Sequence, residues 1–144
     1  MTIQAILDSK GTNVATIAAD ARISIAANML KLKGIGALVV SSDGVTPQGI
    51  LTERDIVYGL AEHGAAVPEK TVADVMSRHV VTCAPDTSIK SAMRLITQQR
   101  ARHIVVVRDG RMRGIVSIGD VMKNRLDDLE LEGNVLHDYI VAHN

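Results

Sequence analysis

Two short segments hold the residues best suited to chemistry. Thr52-Glu-Arg-Asp55 and Ser117-Ile-Gly-Asp120 each set a hydroxyl three residues before a carboxylate, and each follows a glycine and two aliphatic residues, Gly49-Ile-Leu and Gly114-Ile-Val. A hydroxyl at a helix N-cap with an acid three positions on is a capping box, which satisfies backbone N–H groups and requires no ligand. The same atoms admit a second use. An apolar strand ends at each hydroxyl, so the carboxylate stands at the strand's carboxyl edge beside a helix N-terminus, where unpaired N–H groups favour an anion. Both uses remain open at this point. Arg54 adds a planar fork suited to phosphate in the first segment, whereas the matching position in the second is Gly119, so the two are not equivalent. A further basic pair, Arg102-His103, precedes Ile104-Val-Val-Val, where the first half of the chain has Gly36 and Ala37. A histidine at the start of a strand can equally be a hydrogen-bonded structural residue.

Other chemistries lack their residues. No Gly-x4-Gly-Lys-Ser/Thr loop occurs, and Gly34-Ile-Gly36 lacks the third glycine of the dinucleotide fingerprint. Ser117 sits three residues after Gly114, too far for a nucleophile elbow. The five histidines show no metal-ligand spacing, and Cys83 stands alone, which excludes a disulfide framework and a thiolate zinc site. Neither catalysis nor a metal is expected, and Cys83 reads as a small hydrophobe. The 144 residues carry 16 Lys+Arg against 16 Asp+Glu, no Phe or Trp, and two tyrosines, Tyr58 and Tyr139. Base stacking and a strong phosphate footprint are therefore not expected, which argues against nucleic acid as a partner. No apolar run approaches a membrane span and the start lacks a basic leader, so a cytoplasmic protein off the membrane is expected. Neutrality hides an asymmetry: residues 90–125 hold nine basic side chains against Asp109 and Asp120, while 126–144 holds five acids and no Lys or Arg.

The elements that position these residues come in two copies. At an offset of 66, Val14, Thr16, Ala18, Asp20 and Ile23 recur as Val80, Thr82, Ala84, Asp86 and Ile89. The register runs on through Val39-Val40 on Val105-Val106 and Asp43-Gly44 on Asp109-Gly110. It then shifts by one residue, so that Gly49-Ile50 matches Gly114-Ile115 and Asp55 matches Asp120. Even the leads correspond, Thr2-Ile-Gln-Ala-Ile-Leu with Thr71-Val-Ala-Asp-Val-Met. Within each copy the hydrophobic period predicts a short strand (14–17, 80–83), a helix from Ile23 or Ile89, a buried strand (37–40, 104–107), an Asp-Gly hairpin and a second strand (49–52, 113–117). A helix then starts at Thr52 or Ser117. Two βαββα copies suggest a pseudo-twofold pair rather than a solenoid. The expected division is 1–65 for repeat 1 with its lead, 66–125 for repeat 2 and 126–144 for a helical extension, with a linker at 62–70. Methionines 29, 76, 93 and 122 are expected in the core. Ile118, Met122, Leu126, Leu129, Gly133, Leu136 and Ile140 form a seam wider than one fold needs, which predicts a partner helix from a second copy.

Two βαββα copies that both close on Gly-apolar-apolar-Thr/Ser-x-x-Asp resemble a tandem CBS-domain pair, or Bateman module, of the stand-alone bacterial kind, over residues 2–125. The resemblance implies an α/β (α+β) fold of two repeats packed as a pseudo-twofold pair with a long C-terminal helix. It implies a non-enzymatic regulatory sensor binding an adenine nucleotide between the repeats and signalling to an unknown regulated protein. AMP is the foremost ligand, with ADP, ATP, NAD(H) or S-adenosylmethionine as others. By resemblance, each aspartate takes the ribose hydroxyls, the Thr or Ser lies nearer the phosphate, and the other repeat supplies the adenine wall. One cleft would combine Arg102, His103, Ser117 and Asp120 with Asn13, Val14, Ala15, Ile35, Gly36 and Ala37. The other would combine Thr52, Arg54 and Asp55 with His79, Val80, Val81 and Ala101. Lacking Phe and Trp, such walls would grip adenine by aliphatic contact and backbone hydrogen bonds, with exchangeable binding. A homodimer through the repeat helices and the C-terminal helix is also implied. The alternative is a structural or interaction dimer whose clefts are vestigial.

Overall fold

The computed structural model describes residues 1–143; Asn144, the last residue of the expected extension, lies outside them. The architecture is mixed α/β, with two three-stranded sheets of the same plan. In the first repeat β1 (Thr16–Ile17) runs parallel to β2 (Ala37–Val40), which pairs antiparallel with β3 (Gly49–Thr52). The second repeats this with β4 (Thr82–Cys83), β5 (His103–Arg108) and β6 (Arg111–Ser117). Helix α2 (Ile23–Lys33) joins β1 to β2, and α3 (Glu53–His63) follows β3. Helix α5 (Ile89–Gln99) joins β4 to β5, and α6 (Ile118–Ala142) follows β6. The leads form α1 (Ile3–Lys10) and the one-turn α4 (Val72–Val75), the latter after a 3₁₀ helix at Gly64–Glu69 in the expected linker. The βαββα order read from periodicity is therefore present twice.

Local differences have local causes. The first strands are shorter than expected because only Thr16–Ile17 and Thr82–Cys83 pair with β2 and β5. The second hairpin is tight. Asp109 and Gly110 both take positive φ (53° and 74°), as a two-residue primed turn requires, and β6 consequently begins at Arg111. The first hairpin is wider: Asp43 Oδ1 accepts from the N–H groups of Val45 (2.8 Å) and Thr46 (2.7 Å) and organises a longer loop over 41–48. The Thr46 and Val45 amides and the Ser41 hydroxyl hold the Asp43 carboxyl well below the usual carboxylate range. Arg108, Arg111 and Arg113 face solvent, as expected. Met29, Met76 and Met93 pack against the cores, but Met122 does not. It is exposed on α6, because Val121 takes the single buried position of that helix.

Each lead packs on the repeat it does not precede. Ile3, Ile6 and Leu7 recur at helical spacing along α1 and enter the core of the second repeat with Ile89, Ala92, Ile104 and Val116. Val72, Val75 and Met76 join the first core with Ile23, Leu38 and Leu51. Backbone hydrogen bonds repeat the exchange: Ile3 N donates to Thr87 O (2.9 Å) and Gln4 N to Pro85 O (2.8 Å), while Val72 N donates to Ala21 O (2.8 Å) and Ala73 N to Ala19 O (2.9 Å).

The glycine of each signature makes this exchange possible. A methyl group built on Gly114 would lie 2.5 Å from Leu7 Cδ2; one on Gly49 would lie 2.8 Å from Met76 Sδ and 2.9 Å from the Ser77 carbonyl oxygen. The Ser77 carbonyl is fixed, since it accepts from Ile50 N while Ser77 N donates back to Ile50 O, both at 2.9 Å. Gly49→Ala should therefore destabilise the fold by about 1–3 kcal/mol through overpacking. Gly114→Ala should cost less, because only the end of a leucine side chain must give. Urea unfolding of both variants checks the order; equal stability of Gly49→Ala and the parent chain would refute it.

Candidate functional site

Both signature segments form complete capping boxes. Thr52 N donates to Asp55 Oδ2 (2.9 Å) and Asp55 N to Thr52 Oγ1 (3.2 Å); Ser117 N donates to Asp120 Oδ2 (2.8 Å) and Asp120 N to Ser117 Oγ (3.1 Å). The reason is sequence-local: β3 and β6 end on the hydroxyl in extended backbone, and the helix starts on the next residue. In both boxes the cap engages Oδ2. No hydrogen bond among the described residues uses Oδ1 of either aspartate, which leaves one oxygen per carboxylate for another donor. Capping and binding, the two uses open from sequence, are thus compatible in the same side chain.

Each carboxylate lines a cleft walled by the other repeat. The Asp120 cleft has a volume of about 530 Å³, and Asn13, Val14, Ala15, Ile35, Gly36, Ala37, His103 and Ser117 line it as expected. Ile115, Gly34, Lys33 and Lys10 complete it. The Asp55 cleft, about 240 Å³, brings Thr52, Arg54, His79, Val81 and Ala101 together with Asp55. It adds Ile50, Glu53, Ser77, Gln99 and Arg100. Two expectations need correction. Val80 does not line the Asp55 cleft. Arg102, assigned to the Asp120 cleft, lines the Asp55 cleft instead, together with Arg100 and Ala101 of the turn that precedes β5.

Gly36 and His103 border both clefts. A methyl group on Gly36 would stand 2.7 Å from Glu53 Oε1 and 3.7 Å from the His103 ring, so this glycine makes room for two polar side chains at the divide. His103 Nδ1 is buried and has no hydrogen-bond partner. Burial, and next the positive charge of Lys10, push its imidazole below the ordinary histidine range against the opposing pull of Asp120 and Glu53. The ring is accordingly neutral at pH 7.

The cations differ between the clefts. Arg54, Arg100 and Arg102 face the Asp55 cleft, where His79 Nε2 lies 3.1 Å from Gln99 Oε1. In the other cleft Lys10 Nζ donates to Asp120 Oδ2 at 2.5 Å. Burial would raise the Asp120 carboxyl, but hydrogen bonds from Lys10 and Ser117 outweigh it and hold it below its ordinary value. Sequence reasoning missed Lys10, yet a signal exists. With Thr2 aligned on Thr71, the lead register sets Lys10 opposite His79, which lines the other cleft. Arg100 was also missed. It is the α5 C-cap in the left-handed region (φ 51°), at the position held in the first repeat by Gly34 (φ 62°).

Chemically, each cleft joins a carboxylate with a free oxygen for hydroxyl donors to cations for an anionic end; Val14, Ala15, Ile35, Ala37 and Ile115 give the Asp120 cleft an aliphatic wall, and Ile50, Val81 and Ala101 are the aliphatic part of the other. Among the described residues no group of three or more His, Cys, Asp or Glu could hold a metal ion. No helix among them is long and apolar enough to cross a membrane.

The comparisons with known proteins agree with this plan. Residues 9–62 and 72–127 each match the CBS domain. The CBS domain-containing protein YhcV of Bacillus subtilis (strain 168) is 31% identical over 134 residues, 93% of this chain and 94% of that protein. The crystal structure of the CBS-domain containing protein ATU1752 from Agrobacterium tumefaciens superposes with a TM-score of 0.83 at 40% identity, covering 87% of this chain and 99% of that one. The CBS domain pair of protein MJ0100, solved in complex with 5-methylthioadenosine and S-adenosyl-L-methionine, gives a TM-score of 0.76 at 25% identity, over 85% and 98% of the two chains. With both repeats matched and the same fold in its relatives, the chain belongs to the CBS-domain family as a tandem pair.

Proposed function

We propose that this CBS pair is a non-enzymatic sensor that binds adenosine-containing nucleotides, AMP foremost, in its two clefts and signals occupancy to a regulated protein by a change of shape. The observation that carries the reading is the free Oδ1 of each capping-box aspartate, each of which lines a cleft with cations and with aliphatic residues of the other repeat, Val14, Ala15, Ile35 and Ala37 in one and Val81 and Ala101 in the other. A carboxylate oxygen there accepts from a ribose hydroxyl, the Val, Ile and Ala walls flank adenine, and the basic side chains meet phosphate. The adenosyl ligands of the related MJ0100 pair support the ligand class.

Arg100 supports the phosphate end. A non-glycine residue in the left-handed region costs about 1–2 kcal/mol, and such positions cluster at functional sites. Replacing it with the glycine of the first repeat separates fold from function. Arg100→Gly should leave stability within about 1 kcal/mol and weaken AMP binding at the Asp55 cleft about tenfold, as one charge-assisted hydrogen bond would. Undiminished AMP affinity would remove Arg100 from the site.

A second reading, an interaction dimer with vestigial clefts, is favoured by one observation: from Leu126 onward no described residue of α6 is buried, and Leu126, Leu129, Leu136 and Ile140 are all exposed. We take this seam as the contact of a homodimer that also binds nucleotide. Truncation after Arg125 should then yield a monomer by light scattering that still binds AMP; a full-length chain that is already monomeric would eliminate the dimer.

Ligand at 100 times its dissociation constant should stabilise the fold by about 2.7 kcal/mol, raising the melting temperature by roughly 5–10 °C for a chain of this size. Unchanged melting with AMP, ADP, ATP, NADH and S-adenosylmethionine alike would reject the nucleotide reading and leave the dimer. Asp55→Ala and Asp120→Ala should each delete one of two binding events in calorimetry while the folded circular dichroism spectrum persists; unaltered stoichiometry would cancel the site assignment.

A further inference from the structure

We propose that Lys10 makes the Asp120 cleft select phosphorylated adenosine ligands over the bare nucleoside. The inference rests on the nucleotide reading of this cleft and concerns its selectivity. Asp120 Oδ2 already accepts from Ser117 N, and its remaining lone pair is held by the Lys10 ammonium. One ribose hydroxyl can bond the free Oδ1, but a second that reaches Oδ2 must displace Lys10. Asp55 Oδ2 is filled as well, by Thr52 N (2.9 Å) and the Thr52 hydroxyl (3.0 Å), but both belong to its own cap and no cation has to move. Among the described residues the ion pairs are Lys10–Asp120, Arg22–Glu69 and Arg108–Asp86, so no cation is committed to Asp55.

The displaced ammonium then needs a new partner. Lys10 is only partly exposed, a second cation, Lys33, lines the same cleft, and among the described residues Asp120 is the only carboxylate lining it. His103 is kept neutral by burial and by Lys10 itself, so it neither competes for an anion nor accepts the lysine's charge strongly. A phosphate on the incoming ligand resolves the exchange, because it takes Lys10 as the ribose takes Asp120. Adenosine offers no such group and leaves Lys10 and Lys33 without a counter-charge. The position of Lys10 favours the switch, since it is the last residue of α1 and is followed by Gly11 (φ 103°), while the helix is anchored farther back by Ile3 and Leu7.

Calorimetry on the full chain carrying Asp55→Ala, which confines binding to the Asp120 cleft, provides the test. AMP and adenosine are titrated into this chain with Lys10 intact, with Lys10→Met and with Lys10→Arg. The intact chain should prefer AMP. Lys10→Met should reduce the AMP-to-adenosine affinity ratio about tenfold, with adenosine binding at least as tightly as before because its competitor is gone; Lys10→Arg should retain the preference. An unchanged ratio in Lys10→Met, or adenosine affinity that falls in step with AMP, overturns the role of Lys10 and leaves the nucleotide reading standing. Failure of both compounds to bind any of these chains, and the parent chain, overturns the nucleotide reading and this inference together.

Discussion

Leu7 lies over Gly114, and Met76 lies over Gly49, each side chain reaching a strand of the repeat that its own segment does not precede. This reciprocal packing is the contact on which the rest of the molecule depends. A small sheet covered on one side by its own helices leaves apolar surface to bury. The exchange buries it while tying the two halves together, and it requires a residue without Cβ at Gly49, which opens β3, and at Gly114, within β6. The glycine of the signature is thus a packing residue, although it stands next to the chemistry.

The same packing places the groups that make the clefts. Because α1 ends against the second sheet, Lys10 arrives at Asp120; because the chain after α4 runs back past β3, His79 arrives at the Asp55 cleft. The carboxylates themselves are set by local means. Each is pinned through one oxygen by a capping box, which orients it, and the other oxygen stays available. A single side chain can therefore start a helix and bind a hydroxyl without the two roles competing.

Duplication has not produced two equal sites. One cleft is narrower and carries three arginines; the other is wider, carries two lysines, and has its carboxylate already paired. Gly36 and His103 form the divide, so any change in the position of the histidine ring touches both clefts. The two copies therefore offer a ligand different volumes and different cations within one fold.

The repeat, the βαββα order, the capping boxes and the aliphatic character of the walls were legible in the sequence, because each is a matter of short-range spacing: helical period, strand alternation, a hydroxyl three residues before an acid. The resemblance to a CBS pair, not any local pattern, set Asn13 to Ala15 and Ile35 to Ala37 beside one aspartate and His79, Val81 and Ala101 beside the other, and these residues line the two clefts. Tertiary structure alone decided what depends on distance through space. It turned Arg102 to the Asp55 cleft and set Arg100 in a left-handed backbone at the close of α5, and the pairing of Lys10 with a carboxylate 110 residues away follows from how the leads cross between repeats. No local pattern encodes that crossing, since it is settled by which apolar faces remain uncovered once each half has folded.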